Sequence, residues 1–103
     1  MPSAVLAPQA RRDLLEATRW ITKDNPIAAR GLRFAVLDAA ERIGNHPNVG
    51  VVRPQLANEP IRFLILTGYP YLIVYNAGRS PPRILRILHG ARDLPEVLRG
   101  LVQ

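Results

Sequence analysis

The sequence predicts an α+β domain in which a helical hairpin packs on a four-stranded, mostly antiparallel sheet, in the order β-α-α-β-β-β-α. Two observations lead to this fold class. The first half of the chain carries two long segments with apolar residues at helical spacing, and the second half carries short apolar runs separated by Gly- and Pro-containing turns. With 103 residues the chain has room for one hydrophobic core, so we expect a single domain over residues 1–103.

The first half of the chain is predicted to form one short strand and two helices. The strand covers residues 3–7, and the first helix covers residues 8–23, starting with a proline that the first helical turn tolerates. The second helix starts at Asn25 and Pro26, a good N-cap followed by a good first helical residue, and ends near Ile43. These two helices form the predicted hairpin.

The second half is predicted to be mainly sheet. The loop from Asn45 to Pro60 is about 15 residues long, which is unusual in a small domain and often functional. Three strands follow, over residues 61–67, 71–76 and 83–89. Because the turns between them are short, we expect an antiparallel meander. A last helix over about residues 94–102 is predicted, with Asp93 as its N-cap.

The composition limits the classes of function. The chain has no cysteine, which excludes disulfides and thiolate chemistry, and its two histidines lack the spacing of a metal site. No apolar run approaches the roughly 20 residues that span a bilayer, and no basic signal segment precedes the first apolar stretch. We therefore expect a soluble, cytoplasmic protein without membrane association, metal or cofactor.

The charge is strongly basic. Lys and Arg number 14 against 8 Asp and Glu, for a net charge of +6, and Lys23 is the only lysine. Arginine suits two-pronged hydrogen bonding to carboxylate or phosphate, so the charge permits a nucleic acid or an acidic protein as partner. A GC-rich genome, which favours arginine codons, is the alternative explanation.

Both faces of the predicted sheet are largely apolar. In the strand over residues 71–76, Leu72 and Val74 lie on one face and Ile73 on the other. Two long helices can cover one face, but one short helix covers only part of the second. Burial of a Leu or Ile is worth about 1.5–3 kcal/mol, so an uncovered apolar face rimmed by arginine predicts a protein-binding groove. The alternative is that the long loop and the last helix cover this face.

Several short motifs occur in a fixed order along the chain. They are Leu6-Ala7-Pro8-Gln9-Ala10 with Asp13-Leu14, Ile21-Thr22-Lys23-Asp24-Asn25-Pro26, Asn45-His46-Pro47-Asn48-Val49-Gly50, Tyr71-Leu72-Ile73-Val74-Tyr75 and His89-Gly90-Ala91-Arg92-Asp93. With these motifs and the order of its elements, the chain resembles the ParE-type toxins of the RelE/ParE superfamily over nearly its whole length.

The resemblance implies a toxin of a type II toxin–antitoxin module, a class linked to plasmid stabilization. Such toxins are neutralised by a small ParD-like antitoxin whose disordered C-terminal region folds over the toxin. The complexes are often heterotetramers or larger, and they contact operator DNA only indirectly, through the antitoxin. ParE-type members are associated with inhibition of DNA gyrase, whereas RelE-type relatives cut mRNA on the ribosome.

Two sets of residues are the candidates for binding. The basic residues expected to face an acidic target are Arg62, Arg83, Arg86, His89 and Arg92. The residues expected to contact the antitoxin are Leu14, Trp20, Phe34 and Leu37 of the helical hairpin, with Tyr71 and Tyr75 of the sheet.

A ribosome-dependent mRNA endonuclease is the alternative function. It would need no metal, and His89 would act as acid or base with Arg83 and Arg86 at the phosphate. Strand alternation places Arg83 and His89 on one face and Arg86 on the other, which weakens this alternative. His89 has a structural alternative as well, a hydrogen bond to the backbone at the turn after the strand. The structural alternative for Arg92 and Asp93 is a local ion pair and helix cap. A relative with no cellular target of its own is the third possibility.

Overall fold

A helical hairpin lies on a four-stranded sheet in this computed structural model, which describes residues 2–90 and 93. The elements are β1 (Val5–Leu6), α1 (Pro8–Thr22), α2 (Pro26–Asn45), β2 (Ile61–Ile65), β3 (Tyr71–Asn76) and β4 (Arg83–His89). The sheet order is β1-β4-β3-β2, in which β1 is parallel to β4 and the other neighbours are antiparallel. The predicted fold class is confirmed; the helix predicted over residues 94–102 lies outside the described residues.

The second helix starts where the sequence predicts and ends later. The Asn25 side chain accepts a hydrogen bond from the Ala28 N–H at 3.0 Å, as expected of an N-cap. The helix continues through Gly44 to Asn45. A Cβ at position 44 would collide with the Pro2 carbonyl oxygen and lie 2.9 Å from the Ser3 Cα. Gly44 lies within the helix, and its lack of a side chain lets the N-terminal segment cross the helix at close range.

The main core lies between the hairpin and one face of the sheet. The fully buried side chains there include Leu32, Val36 and Ile43 of α2 and Ile73 and Ile84 of the sheet. Small residues, Ala10 and Ala17, form the inner side of α1 and are also buried. The apolar residues at helical spacing therefore form the helical side of this core.

The sequence predicted that the opposite face of the sheet is uncovered, but several apolar residues on this face are buried. Leu72, Val74 and Leu88 are at most 7% exposed and form a second cluster with Phe63. The long loop contributes the buried Ala57 to this cluster. The prediction of an uncovered apolar face is therefore wrong at these positions, and the long loop contributes to their burial.

The long loop itself is ordered by the sheet. Val51 forms an antiparallel bridge with Phe63, with both N–H···O distances at 2.9 Å. This bridge occupies part of the outer edge of β2, and it brings the loop residues 48–50 beside the end of β3.

A bulge in β4 changes which residues share a face. The register pairs Val74 with Arg86 but Tyr75 with Ile84, so Leu85 is an additional residue in β4. Ile84 and Ile87 consequently both face the hairpin. Arg83 lies on the face opposite to Ile84, whereas His89 shares the face of Ile87. The prediction that Arg83 and His89 share one face is therefore wrong, because strict alternation does not continue through the bulge.

Among the described residues, none of the helices is both long and apolar enough to cross a membrane.

Candidate functional site

An apolar groove runs between β1 and the helical hairpin. It has a volume of about 590 Å³ and its floor and walls include Val5, Leu14, Leu15 and Leu37. Leu37 is 51% exposed and Leu15 is 49% exposed, so both present apolar surface to solvent. Leu14 is partly buried and packs against the main core. We call this cavity the hairpin groove.

Two arginines stand in the wall of the hairpin groove. Arg11 of α1 and Arg33 of α2 line it, and both are exposed. The Arg11 Nε donates a long hydrogen bond of 3.4 Å to the Leu6 carbonyl oxygen. An apolar groove with cationic walls fits a polypeptide segment that carries both leucine-like and acidic side chains.

Three more apolar side chains are exposed on the hairpin outside the groove. They are Ile27 at 80%, Phe34 at 68% and Trp20 at 63% exposure. The Lys23 ammonium lies 5.2 Å from the Trp20 ring centroid, a cation–π contact. Four of the predicted antitoxin contacts, Leu14, Trp20, Phe34 and Leu37, therefore lie on the hairpin, and the last three are largely exposed.

The two tyrosines predicted to contact the antitoxin belong to the core. Tyr75 is fully buried, and its hydroxyl donates to the Pro47 carbonyl at 2.6 Å and accepts from the Gly50 N–H at 2.9 Å. Burial raises the pKa of the Tyr75 hydroxyl. Tyr71 is 6% exposed, with its ring edge-on to His89 at 5.5 Å. Neither side chain is available to a partner, because both face the hairpin rather than solvent.

Arg86 is committed to an ion pair. Its Nε and Nη2 donate to the two oxygens of Asp13 at 2.7 Å and 3.0 Å. This pairing raises the pKa of the Arg86 guanidinium. Asp13 also accepts the backbone N–H of Ile87 at 3.0 Å. Arg86 therefore holds α1 to β4 and has little capacity left for an external anion.

Arg62 contacts the loop beside β2. Its Nη1 donates to the Gly50 carbonyl at 2.8 Å and, more weakly, to the Asn48 carbonyl at 3.4 Å. The Arg62 Nη2 lies 3.7 Å from a carboxylate oxygen of Glu59, whose side chain is 71% exposed. This ion pair is weak, but the Arg62 side chain is only 19% exposed, so only a small part of it is open to a partner.

Arg83 lines a second cavity, at the start of β4. This cavity has a volume of about 460 Å³ and is also lined by Val5, Arg79 and Ser80. Arg79 is exposed and Arg83 is half-buried. We call this cavity the turn pocket, because it lies at the turn that joins β3 to β4. In the described part of the chain no carboxylate forms an ion pair with either arginine.

His89 lies at the opposite end of β4. Its backbone N–H donates to a carboxylate oxygen of Asp93 at 3.0 Å, and the Asp93 N–H donates to the His89 carbonyl at 2.8 Å. Two hydrogen bonds thus join His89 to Asp93, the residue predicted as the N-cap of the last helix. Arg92 lies outside the described residues.

The residues of the predicted endonuclease site do not converge. Arg83 and His89 are the first and last residues of a seven-residue strand, so their backbones are about 20 Å apart at 3.3 Å per residue. They also face opposite sides of the sheet, and Arg86 between them is paired with Asp13. Across residues 2–90 and 93, no three His, Asp or Glu side chains group closely enough to hold a metal ion.

Five residues that line these cavities were not predicted from the sequence: Val5, Arg11, Leu15, Arg33 and Arg79. A usable signal existed for Arg79, which precedes Arg83 by four residues across a Pro-rich turn. Leu15 lies outside the helical spacing of Leu14, Ala17 and Ile21, which marks it as an exposed leucine. Val5 and Arg33 are identified only by the packing of β1 beside the hairpin.

The comparisons with known proteins show that this chain is similar to toxins. A family model described as the ParE toxin of the type II toxin–antitoxin system, parDE, matches residues 4–94. Toxin RelE3 of Caulobacter vibrioides is 30% identical over 89 residues, which cover 86% of this chain and 95% of that protein. The putative toxin Y4kP of Sinorhizobium fredii is 32% identical over 90 residues, which cover 87% of this chain and 90% of that protein.

A solved structure agrees with this result. A chain from the chromosomal ParDE TA system of P. aeruginosa superposes with a TM-score of 0.58 at 25% identity, covering 86% of this chain and 96% of that chain. The fold, the sequence motifs and these similarities lead to one conclusion: the chain belongs to the ParE toxin family of type II toxin–antitoxin systems.

Proposed function

We propose that this toxin acts by binding DNA gyrase, and that a ParD-like antitoxin neutralises it by occupying the helical hairpin. The observation that carries the proposal is the exposed apolar surface of the hairpin, formed by the hairpin groove and by Trp20 and Phe34. A monomer gains nothing from exposing such a surface, whereas a folding antitoxin segment can bury it.

The basic residues of the sheet are the candidate contacts to the target. Arg62 and Arg83 are accessible in part, and Arg79 extends the same charge to the turn before β4. An acidic protein surface would be attracted to them at long range. Arg86 is dropped from this set because Asp13 holds it. His89, the last residue of β4, and Arg92 also stay in the proposal.

Cleavage of mRNA is the second candidate function. It is favoured by the 30% identity with the protein named Toxin RelE3. The separation of Arg83 from His89 and the pairing of Arg86 argue against it, because phosphoryl transfer requires acid, base and cation around one phosphate. We therefore rank gyrase binding first.

The two functions predict different effects on plasmid supercoiling and on mRNA in cells. Induction of the toxin in a bacterial host, without antitoxin, should relax a reporter plasmid within the first division times and leave mRNA ends unchanged. Co-expression of the antitoxin should prevent the relaxation. New mRNA ends in translated regions with normal plasmid supercoiling, lost in His89→Ala, would establish the endonuclease instead.

The assembly with the antitoxin is a separate part of the proposal. We expect a heterotetramer or a larger complex in the cytoplasm, with operator DNA bound only by the antitoxin. Light scattering on the co-purified complex measures the stoichiometry, and operator binding by the free toxin would contradict this assignment.

A further inference from the structure

The hairpin groove and the turn pocket are adjacent, and they meet at Val5. This residue lines both cavities, and its side chain is 42% exposed on the edge strand β1. One extended segment crossing β1 would therefore contact the apolar walls of the groove first and the arginines of the turn pocket next.

The charged side chains that line the two cavities are all positive. Arg11 and Arg33 line the groove, and Arg79 and Arg83 line the pocket. No Asp or Glu is among the described residues that line either cavity. The two arginines of the pocket also lack an ion-pair partner within the described chain, so the positive charge there is not neutralised internally.

The side chains that line the turn pocket suit an oxygen anion as ligand. Guanidinium groups donate in a fixed planar fork that matches carboxylate and phosphate, and the Ser80 hydroxyl beside them adds a donor. The neighbouring groove decides between the two anions. A nucleic-acid backbone has no apolar side chains to place against Leu14, Leu15 and Leu37, whereas a polypeptide has them.

We propose that the turn pocket binds a carboxylate side chain of the antitoxin, in the same segment whose apolar side chains fill the hairpin groove. This inference rests on the proposed function, since it assumes that the antitoxin occupies the hairpin. It adds a mechanism of neutralisation. Arg83 belongs to the proposed target surface, so an antitoxin carboxylate at Arg83 competes directly with the acidic target.

The test is titration calorimetry of the purified toxin with the antitoxin encoded in the same operon. The variant Arg79→Gln/Arg83→Gln removes the pocket charge, and Arg12→Gln/Arg42→Gln removes the same charge from exposed positions that line neither cavity. The pocket variant should weaken binding about tenfold and reduce its salt dependence. The control variant should stay within about twofold of the unmodified toxin.

A third variant separates this inference from the proposed function. Leu37→Asp places a charge in the hairpin groove and should abolish antitoxin binding. Loss of binding in Leu37→Asp with no difference between the pocket and control variants would overturn the carboxylate site alone. Unchanged binding in all three variants would overturn both the site and the proposed use of the hairpin.

Two further measurements complete the test. Circular dichroism melting should show the same midpoint for the pocket and control variants, because Arg79 is exposed and Arg83 has no internal ion pair. A 20-base-pair duplex DNA serves as the second probe. If the pocket variant loses binding to this duplex but keeps full affinity for the antitoxin, the pocket is a phosphate site and the proposal is wrong.

Discussion

Asp13 and Arg86, which are 73 positions apart in the chain, form a two-pronged ion pair that fastens α1 to β4. The same carboxylate accepts the Ile87 N–H at 3.0 Å. The strand β1 pairs with β4 at only two positions, Val5 with Arg83 and Leu6 with Ile84. Ile87 lies beyond these two positions, and the Asp13 carboxylate accepts the backbone N–H that a carbonyl group of a longer β1 would otherwise accept. The Asp13 carboxylate therefore extends the hydrogen bonding along this edge of β4. Because Arg86 has this structural role, we do not count it among the candidate catalytic residues.

Asp13→Asn should destabilise the fold by about 2–3 kcal/mol, since it leaves the Arg86 guanidinium without its charged partner and weakens the bond to Ile87. Guanidinium unfolding measures this loss. Asp38→Asn, on the exposed side of α2, is the matched control and should change stability by less than about 0.5 kcal/mol. Equal effects of the two variants would show that the ion pair contributes nothing to folding.

Tyr75→Phe should cost about 1–2 kcal/mol at neutral pH, because the Pro47 carbonyl and the Gly50 N–H lose their buried partner. The variant should also differ in alkali. Burial raises the pKa of Tyr75 above its usual 10.0, so the folded state retains the phenolic proton after the unfolded state has lost it. Stability from this group is complete below about pH 10 and is lost as pH rises through the raised pKa.

Urea unfolding from pH 8 to pH 11 checks the alkaline part of this prediction. The unmodified chain should lose stability above about pH 10 more steeply than Tyr75→Phe. Tyr69→Phe is the control, because its hydroxyl makes only a 3.4 Å contact with the Ala28 carbonyl, and it should keep the steep decline. Parallel curves for the unmodified chain and Tyr75→Phe would refute the role given to Tyr75.

Gly50→Ala should destabilise the chain by about 2 kcal/mol or more. A Cβ at position 50 would lie 2.7 Å from a Tyr75 ring carbon and 2.9 Å from the Phe63 carbonyl oxygen, and the surrounding core leaves neither group room to move. Gly90→Ala is the matched control, since its nearest neighbour, a Leu72 methyl, would be at 3.6 Å. Thermal melting should place Gly90→Ala close to the unmodified chain; a similar loss in both variants would contradict the tight packing at Gly50.

Phe34→Ser should leave the fold almost unchanged and weaken antitoxin binding about tenfold or more. The ring is 68% exposed in the free chain, so its removal costs the fold little, whereas an aromatic ring buried in a complex is a common source of affinity. Calorimetry with the antitoxin measures the effect. Ile65→Ser removes an apolar side chain that is 63% exposed on β2, away from the hairpin, and it should not alter affinity. Equal loss in the two variants would argue against the hairpin as the binding surface.

Local signals in the sequence were sufficient to predict the helices and strands that the structure describes. Asn25 and Pro26 mark the start of α2, and the short turns predict the meander of β2, β3 and β4 with β3 and β4 at their observed bounds. These signals depend on neighbours within a few positions, which is why they can be recognised without the structure.

The candidate site was only partly predictable, for a physical reason. The bulge at Leu85 reverses the faces of Arg83 and His89, and no residue type marks it in advance. The pairing of Asp13 with Arg86 joins positions far apart in the chain. The burial of Tyr75 depends on the loop that folds over its hydroxyl. Each of these is a tertiary contact, which local patterns in the sequence do not specify.

The most direct measurement of the central claim is supercoiling of relaxed plasmid by purified gyrase, titrated with the toxin. We predict loss of supercoiling as toxin approaches the enzyme concentration, recovery when antitoxin is added, and only weak inhibition by Arg62→Gln/Arg83→Gln. Undiminished supercoiling at a large excess of folded toxin, with cleavage of labelled mRNA in a parallel translating extract, would contradict it.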